Sequence, residues 1–518
     1  MAEKKGGQRG APESRSKPRR KPDSASVSAS LGRPRPGNDS DRRHLAKSKA
    51  GKAGSRPGSR NSTAAAKAHD PGRGLELTDN PRQAAWRTLK DCREGRTPEE
   101  ALASHGLLLS QKDLALATAM VYEVLRHQSR LESLAASRLS SGRASPDLLL
   151  VLNLGLAQLL YFQRLGDHAV VSETVALAKA VVPGRHGLVN AILRGLLRDR
   201  EAGAPWPPQL KPIGDSTGDL AQNHSYPKWL VKKVLARFGP EEAEELLAAG
   251  NHPTPPTLRA NPLKISREDL AIQLPFECRL TRFSPWGLAA SNFSGRPDEW
   301  PGFTEGLFAL QDEASQLAAL IAGSLPGGAK VLDACSGLGG KALALAAVNP
   351  RAKITARDKD EAKLILLKRE AERLGCQNIE VAVGDLLAED LPPEQFDLVL
   401  VDAPCSGLGV IRRRPDLKWN KKEEDIPRLA ELQLKLLNSA AKGVRPGGRL
   451  LYGVCTFTIE EGPLTAANFL KANPGFQAAP AEAWPEDLRP HLGPEVGLSL
   501  LPHRHRTDGF FWALFLKS

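Results

Sequence analysis

No stretch of this chain is apolar for long enough to cross a membrane, and its first residues lack the apolar core of a secretory signal. Both absences lead to the expectation of a cytoplasmic protein that does not engage membranes. Glu3, Glu13 and Asp23 argue against reading the Arg/Ser-rich start as a transit peptide. Cysteine is scarce: Cys92, Cys278, Cys335, Cys376, Cys405 and Cys455 are the six in 518 residues, and none forms a C-x-x-C pair. That spacing excludes a disulfide framework and a zinc site, leaves reduced thiols, and gives no reason to expect a metal. Residues 1–75 contain no aromatic residue and no Ile but are dense in Gly, Pro, Ser and Arg. Such a segment cannot bury enough apolar surface to offset its ordering entropy, so 1–75 is expected to be a disordered basic tail.

The charge follows the same boundary. Residues 1–75 hold 19 Lys+Arg and 6 Asp+Glu, whereas the rest of the chain holds 53 of each. The whole net charge of +13 therefore sits in the tail. Two readings stand: an arm that binds nucleic acid by neutralising phosphates, or a solubilising extension with weak non-specific binding.

A chain of 518 residues exceeds one core, and two or three domains are expected. Residues 81–200 read as helices throughout, with apolar residues at helical spacing (Ala84, Ala85, Leu89, Cys92) and long apolar runs over Leu114–Leu125 and Leu148–Leu160. Residues 201–226 are Pro-rich and polar and read as a linker. Residues 227–310 open with a short helical stretch, Trp229–Phe238, followed by Pro-punctuated elements that include strands, a small α+β unit. From 311 to 518 strands and helices alternate. The strands are expected at Lys330–Ala334, Lys353–Arg357, Ile379–Val383, Phe396–Val401 and Arg449–Val454, with helices such as Asp360–Leu374 and Pro427–Lys442 between them. That alternation implies a Rossmann-like α/β domain with a parallel sheet, whose ligands sit at the carboxyl ends of the strands.

Three motifs fall at those ends. The first, Asp333-Ala-Cys335-Ser336-Gly337-Leu338-Gly339-Gly340-Lys341, is a strand running into a glycine turn and a helix. It lacks the first Gly and the hydroxyl of a phosphate-binding loop. It satisfies the dinucleotide spacing through Gly337, Gly339 and Ala342, but nothing beside it supplies a hydride-transfer site. S-adenosyl-L-methionine uses the same logic without a pyrophosphate, the turn letting backbone approach the methionine portion. Asp358, at the end of the second strand, is expected to take the ribose hydroxyls, and Asp385, after the third, the adenine amino group. A single Asp at such a place is commonly a cap or turn residue. Four of them (Asp333, Asp358, Asp385 and Asp402) at successive strand ends of one sheet are hard to assign to capping.

The other two motifs carry thiols: Asp402-Ala-Pro-Cys405-Ser-Gly and Tyr452-Gly-Val-Cys455-Thr. Carbon 5 of a cytosine is unreactive until a thiolate has added at C6; it can then attack a methyl sulfonium, and loss of the C5 proton lets the thiolate leave. Addition pushes charge towards N3, which Asp402 in a protonated or hydrogen-bonding form would accept. Either thiol could attack. Cys405 follows Pro404 in an exposing turn. Cys455 ends an apolar strand ahead of Thr458-Ile-Glu-Glu461, a sequence with the spacing of a capping box, so that a helix N-terminus would lower its pKa. Cys92, Cys278 and Cys376 read as small buried hydrophobes.

These motifs resemble those of the bacterial ribosomal RNA cytosine-C5 methyltransferases of the Sun/Fmu type, within the Nol1/Nop2/Sun group. The resemblance covers residues 81–518. Arg413-Arg-Pro415-Asp-Leu-Lys-Trp419, Leu310-Gln-Asp-Glu-Ala-Ser315 and Asp508-Gly-Phe-Phe511 are similar to further signatures of that group. The resemblance implies that Cys455 is the nucleophile and that Cys405 assists release of the enzyme–RNA adduct. It also implies that 81–200, with His168, Glu173-Thr-Val175 and His186-Gly-Leu-Val-Asn190, is a NusB-type RNA-binding domain. Segment 227–310, with Leu258-Arg259-Ala260-Asn261-Pro262, resembles the small RNA-binding subdomain that precedes the group's catalytic core. The expected activity is 5-methylcytosine formation in small-subunit (16S) rRNA by a monomer. A tRNA substrate is the nearest rival, and a non-catalytic RNA-binding assembly factor is the alternative from another class. The chain departs from the group's Cys-Ala-Ala-Pro-Gly-Gly-Lys turn at Gly337-Leu338, a change expected to loosen the cofactor loop.

Overall fold

The structure, a computed structural model, describes residues 78–139, 144–494 and 496–518. The tail expected over 1–75 lies outside the described residues.

The first folded region is built from α1 (Pro81–Arg93), α2 (Pro98–His105), α3 (Gln111–Ala136), α4 (Pro146–Tyr161), α5 (Asp167–Val181) and α6 (His186–Glu201). Local sequence sets its boundaries. Asn80, Thr97, Ser110 and Ser145 each cap a helix by accepting from first-turn N–H groups, and Thr97 with Glu100 forms a capping box. Helix α4 is apolar nearly all round because it is central, with Leu148, Val151, Leu152, Leu154 and Leu156 all buried among the other helices. Helix α3 is broken at His127, whose φ and ψ (−117° and 18°) are not helical. The N–H of Ser129 donates instead to Ser225 Oγ at 2.8 Å.

The stretch 201–226 is not wholly irregular: it contains α7 (Ser216–Asn223), capped by Asp215. Helix α8 (Lys228–Ala249) is longer than the Trp229–Phe238 stretch expected from sequence. It runs on through Gly239 in a left-handed conformation and Pro240, which opens the second segment where no N–H is needed. Strands β1 (Thr257–Ala260), β2 (Glu277–Leu280), β3 (Gly287–Ser291) and β4 (Phe308–Leu310) form an antiparallel sheet in the order β2-β3-β1-β4, covered by α9 (Arg267–Gln273). Leu258 and Ala260 of β1 enter its core with Leu270, Leu288 and Phe308. Alternation sends Arg259 to the opposite face.

After α10 (Glu313–Ala322) comes the large sheet: β5 (Lys330–Asp333), β6 (Lys353–Asp358), β7 (Ile379–Val383), β8 (Phe396–Asp402), β9 (Val444–Val454), β10 (Phe476–Ala478), β11 (Leu498–Leu500) and β12 (Phe510–Lys517). Its order is β10-β12-β9-β8-β5-β6-β7, with β11 also on β12. The helices are α11 (Gly340–Val348), α12 (Glu361–Leu374), α13 (Leu417–Asn420), α14 (Asp425–Gly443), α15 (Thr465–Ala472) and α16 (Pro502–His505). The five strands expected from sequence pair in parallel, but the sheet is mixed. Strand β12 runs antiparallel to β9, and its near-continuous apolar sequence fits burial on both faces. Strand β5 has β6 on one side and β8 on the other, which opens a crevice at its carboxyl end.

The region after β8 also grips the helical region. Lys418 is fully buried, and its Nζ donates to Arg126 O (3.0 Å), Ser225 O (3.1 Å) and Asn251 Oδ1 (2.5 Å). Trp419 Nε1 donates to Leu125 O at 2.7 Å. The break at His127 frees helix carbonyls for this grip.

Candidate active site

The glycine turn sits in the crevice at the end of β5. Gly339 has φ of +83°, and a Cβ there would stand 2.3 Å from the Leu367 side chain, so only glycine fits. Gly337 (φ +54°) faces open space, and its N–H donates to Asp358 Oδ2 at 2.8 Å. Asp358 Oδ1 accepts from Asp360 N at 2.9 Å, so this carboxylate ties the first turn to the second and keeps lone pairs for a ligand. Ser336 donates to the carbonyl of Arg357 through both N (2.9 Å) and Oγ (3.2 Å). Asp385 is half-buried, and its Oδ1 accepts from Leu387 N at 2.9 Å, an Asx turn of the kind expected of an isolated Asp. Leu338 is exposed.

Asp333 is fully buried, and neither carboxylate oxygen has a hydrogen-bond partner. Burial, then Asp402 nearby, pushes its pKa up to about 7. Burial also pushes the Cys335 thiol well up, so it is no nucleophile at neutral pH. Glycine backbone open to a ligand and acids at three successive strand ends suit the amino-acid, ribose and base portions of S-adenosylmethionine. Among the described residues no cluster of His, Cys, Asp or Glu could hold a metal ion, and no helix is long and apolar enough to cross a membrane.

Parallel pairing of β8 with β9 brings the two thiol motifs together. Asp402 is in register with Gly453, and the chain then places Cys405 Sγ 3.3 Å from Cys455 Sγ. The bond to Cys455, then burial, raises the Cys405 thiol well above its ordinary value. Cys405 therefore holds its proton and can donate it towards Cys455. Gly409 N donates to Cys455 O at 3.0 Å, and Gly509 N to Gly409 O at 2.8 Å. A Cβ on Gly409 would stand 1.9 Å from that Gly509 carbonyl, so close backbone contact clamps the two motifs to the Asp508-Gly509 signature.

The capping box expected at Thr458–Glu461 does not form. The chain takes one π-helical turn (Glu460–Leu464) before α15, and Glu461 turns inward instead. Fully buried, its carboxylate accepts from Ser406 N (2.7 Å), Ser406 Oγ (2.6 Å), Thr458 Oγ1 (2.8 Å) and Gln433 Nε2 (3.1 Å). It ties the Cys405 loop to the Cys455 loop. Sequence reasoning missed this tie; the only available signal was a second acid directly after Glu460 in an otherwise apolar setting. It also missed that Asp402 is ion-paired: Lys341 Nζ lies 2.6 Å from Asp402 Oδ2. Burial works against that ammonium, but Asp402 outweighs it and holds the Lys341 pKa above the ordinary value. Asp402 thus faces the site as half of a pair. Of the remaining cysteines, Cys92 and Cys376 are buried as expected, whereas Cys278, on the edge strand β2, is half-exposed.

Comparison with known proteins gives three family matches along the chain. Residues 324–516 match the model described as 16S rRNA methyltransferase RsmB/F, 79–198 the NusB family, and 226–289 the RsmF/B-like ferredoxin-like domain. The chain is 34% identical over 413 residues to a probable ribosomal RNA small subunit methyltransferase B of Bacillus subtilis, covering 78% of this chain and 90% of that one. It is 32% identical over 431 residues to ribosomal RNA small subunit methyltransferase B of Vibrio cholerae, covering 82% and 94%. Among solved structures, PH0851 superposes with a TM-score of 0.68 at 25% identity, covering 85% of this chain and all of that one.

Proposed function

The chain belongs to the 16S rRNA methyltransferase RsmB/F family, and from that membership we propose that it forms 5-methylcytosine in small-subunit rRNA through a covalent adduct of Cys455. The observation that carries the mechanism is the pair of thiols 3.3 Å apart beside Asp402. S-adenosyl-L-methionine, when bound, supplies the methyl group as an electrophile. Cys335 to Lys341, Asp358, Asp385 and Asp402 would hold it, the first by backbone and the acids by accepting from its hydroxyl and amino groups.

The protein's own part begins at Cys455. Its thiolate adds to C6, a C–S bond forms, and the ring electrons move to C5, with the charge reaching N3. Asp402 would serve N3 as a donor, with a proton drawn from the Lys341 ammonium 2.6 Å away, so that N3 is protonated as the charge arrives. Once C5 carries its methyl group, removal of the C5 proton returns the electron pair to the ring and expels the Cys455 thiolate. Cys405 would assist that release by giving its proton to the departing Cys455 sulfur, 3.3 Å away, and the thiolate so formed, or water, takes up the C5 proton. The reading extends to a monomer working in the cytoplasm on RNA.

The direct test is incubation of the protein with radiolabelled S-adenosylmethionine and unmodified small-subunit rRNA, with position mapping of any 5-methylcytosine. One labelled cytosine is the expected result. No label on rRNA but label on tRNA would overturn the substrate assignment.

A further inference from the structure

Arg259 faces away from its own subdomain's core into a cavity of about 470 Å³ against the catalytic domain. Its side chain is only 3% exposed, and neither Nε nor Nη1 has a hydrogen-bond partner. A buried cation without a partner is costly, and an anion is the usual remedy. The nearby acid is already committed: Glu370 binds Arg373 at 2.5 and 2.7 Å. Burial draws the Arg259 pKa down to about 10, so the group is still a cation at neutral pH.

Two further features converge on the same cavity. Gln311 lines it, and its amide makes no hydrogen bond, Oε1 being buried without a partner. Its Nε2 lies 3.5 Å from where a Cβ on Gly340 would stand. Gly340 begins α11, a nine-residue helix with no side-chain cap, so its first-turn N–H groups lack partners. An uncapped helix N-terminus, a buried guanidinium and a free amide together form an oxyanion cradle.

We propose that Arg259 and Gln311, with the N-terminus of α11, form a binding site for one oxyanion, either the α-carboxylate of the cofactor or a phosphodiester of the RNA. Both sources rest on the proposed function, the carboxylate on its cofactor and the phosphate on its RNA.

The test uses the full chain, with melting temperature measured in parallel to confirm folding. Calorimetry compares S-adenosylhomocysteine, which keeps the α-carboxylate, with 5′-methylthioadenosine, which lacks it. RNA binding to an rRNA fragment is measured across a salt series. If the carboxylate is the ligand, Arg259→Met weakens S-adenosylhomocysteine about tenfold or more and leaves 5′-methylthioadenosine unchanged, and Arg259→Lys recovers part of the loss. If a phosphate is the ligand, both small molecules bind as before and the salt slope of RNA binding falls by about one. A melting temperature that drops while all three affinities hold would overturn the proposal and make Arg259 a strut. Gln311→Glu, which places a negative charge in the cradle, gives the same readings if Arg259→Met does not fold. Wild-type protein that binds neither small molecule would sink the cofactor assignment, and the RNA arm would still decide the oxyanion site.

Discussion

Cys405 Sγ lies 3.3 Å from Cys455 Sγ, across the ends of two adjacent parallel strands. At that distance one thiol can donate to the other, and the raised pKa of Cys405 fits the proposed role of Cys455 as the attacking sulfur. The roles separate in substitution. Cys455→Ala is expected to reduce methylation to background and give no covalent product. Cys405→Ala is expected to trap a protein–RNA adduct that survives a denaturing gel, because attack is retained and release is impaired. Gel shifts of the two variants with rRNA check both, and an adduct from Cys455→Ala would reverse the assignment.

Glu461 supports that pair from below. Two of its four donors belong to Ser406, next to Cys405, and a third to Thr458, three residues past Cys455. Glu461→Gln replaces an acceptor-only group with one that presents N–H to a donor. It should destabilise the fold by about 2 kcal/mol or more, from a buried donor left without its acceptor. Because the substrate does not meet Glu461, kcat should fall while KM for RNA holds. Equal loss in both, or a loss wholly explained by unfolding, would count against a positioning role.

How much of this was legible follows from what each feature depends on. The five parallel strands were readable because short apolar runs bounded by Gly, Asp and Pro carry their own signal. The thiol pair was readable as two strand-end motifs. Strand β12 was not anticipated, since its pairing with β9 is a tertiary choice made 56 residues downstream of Val454, counting to Phe510. Glu461 matched a local rule, the capping box, and was taken by a longer-range alternative with four donors. Lys418 stood in a recognised motif, but its destination among the carbonyls of Arg126 and Ser225 depends on the break at His127, which no residue type announces.

The Lys341–Asp402 pair makes a further prediction. Lys341 is buried in part by the rings of Phe510 and Trp512, 5.1 and 6.0 Å from its Nζ. Removing one member of a buried pair leaves the other uncompensated, at a cost of about 3–5 kcal/mol. Asp402→Ala should therefore lower the melting temperature and abolish methylation together. Lys341→Met with Asp402→Asn should restore most of the stability without restoring activity, because no acid is left to protonate N3. Denaturant titration of the single and double variants checks the coupling, and independent additive losses would refute it.

His127 makes stability depend on acid. Its ring stacks on Tyr161 at 4.1 Å, and burial, then Lys418, Arg126, Arg130 and His252, pull its pKa from 6.5 down to about 3. Glu123, 3.5 Å from Nε2, pulls the other way and is outweighed. The folded protein keeps this imidazole neutral while the unfolded chain protonates it near 6.5. Its contribution is therefore complete above pH 6.5 and is lost as pH falls towards 3, at up to about 1.4 kcal/mol per pH unit. Loss of that stability should loosen the grip of Lys418 and Trp419 on α3. His127→Phe keeps the stack and removes the titration. Unfolding free energies at pH 7, 6 and 5 should fall less steeply for the variant, by about one proton taken up on unfolding. An identical slope would show that the other depressed histidines, His224, His491 and His505, account for the acid sensitivity.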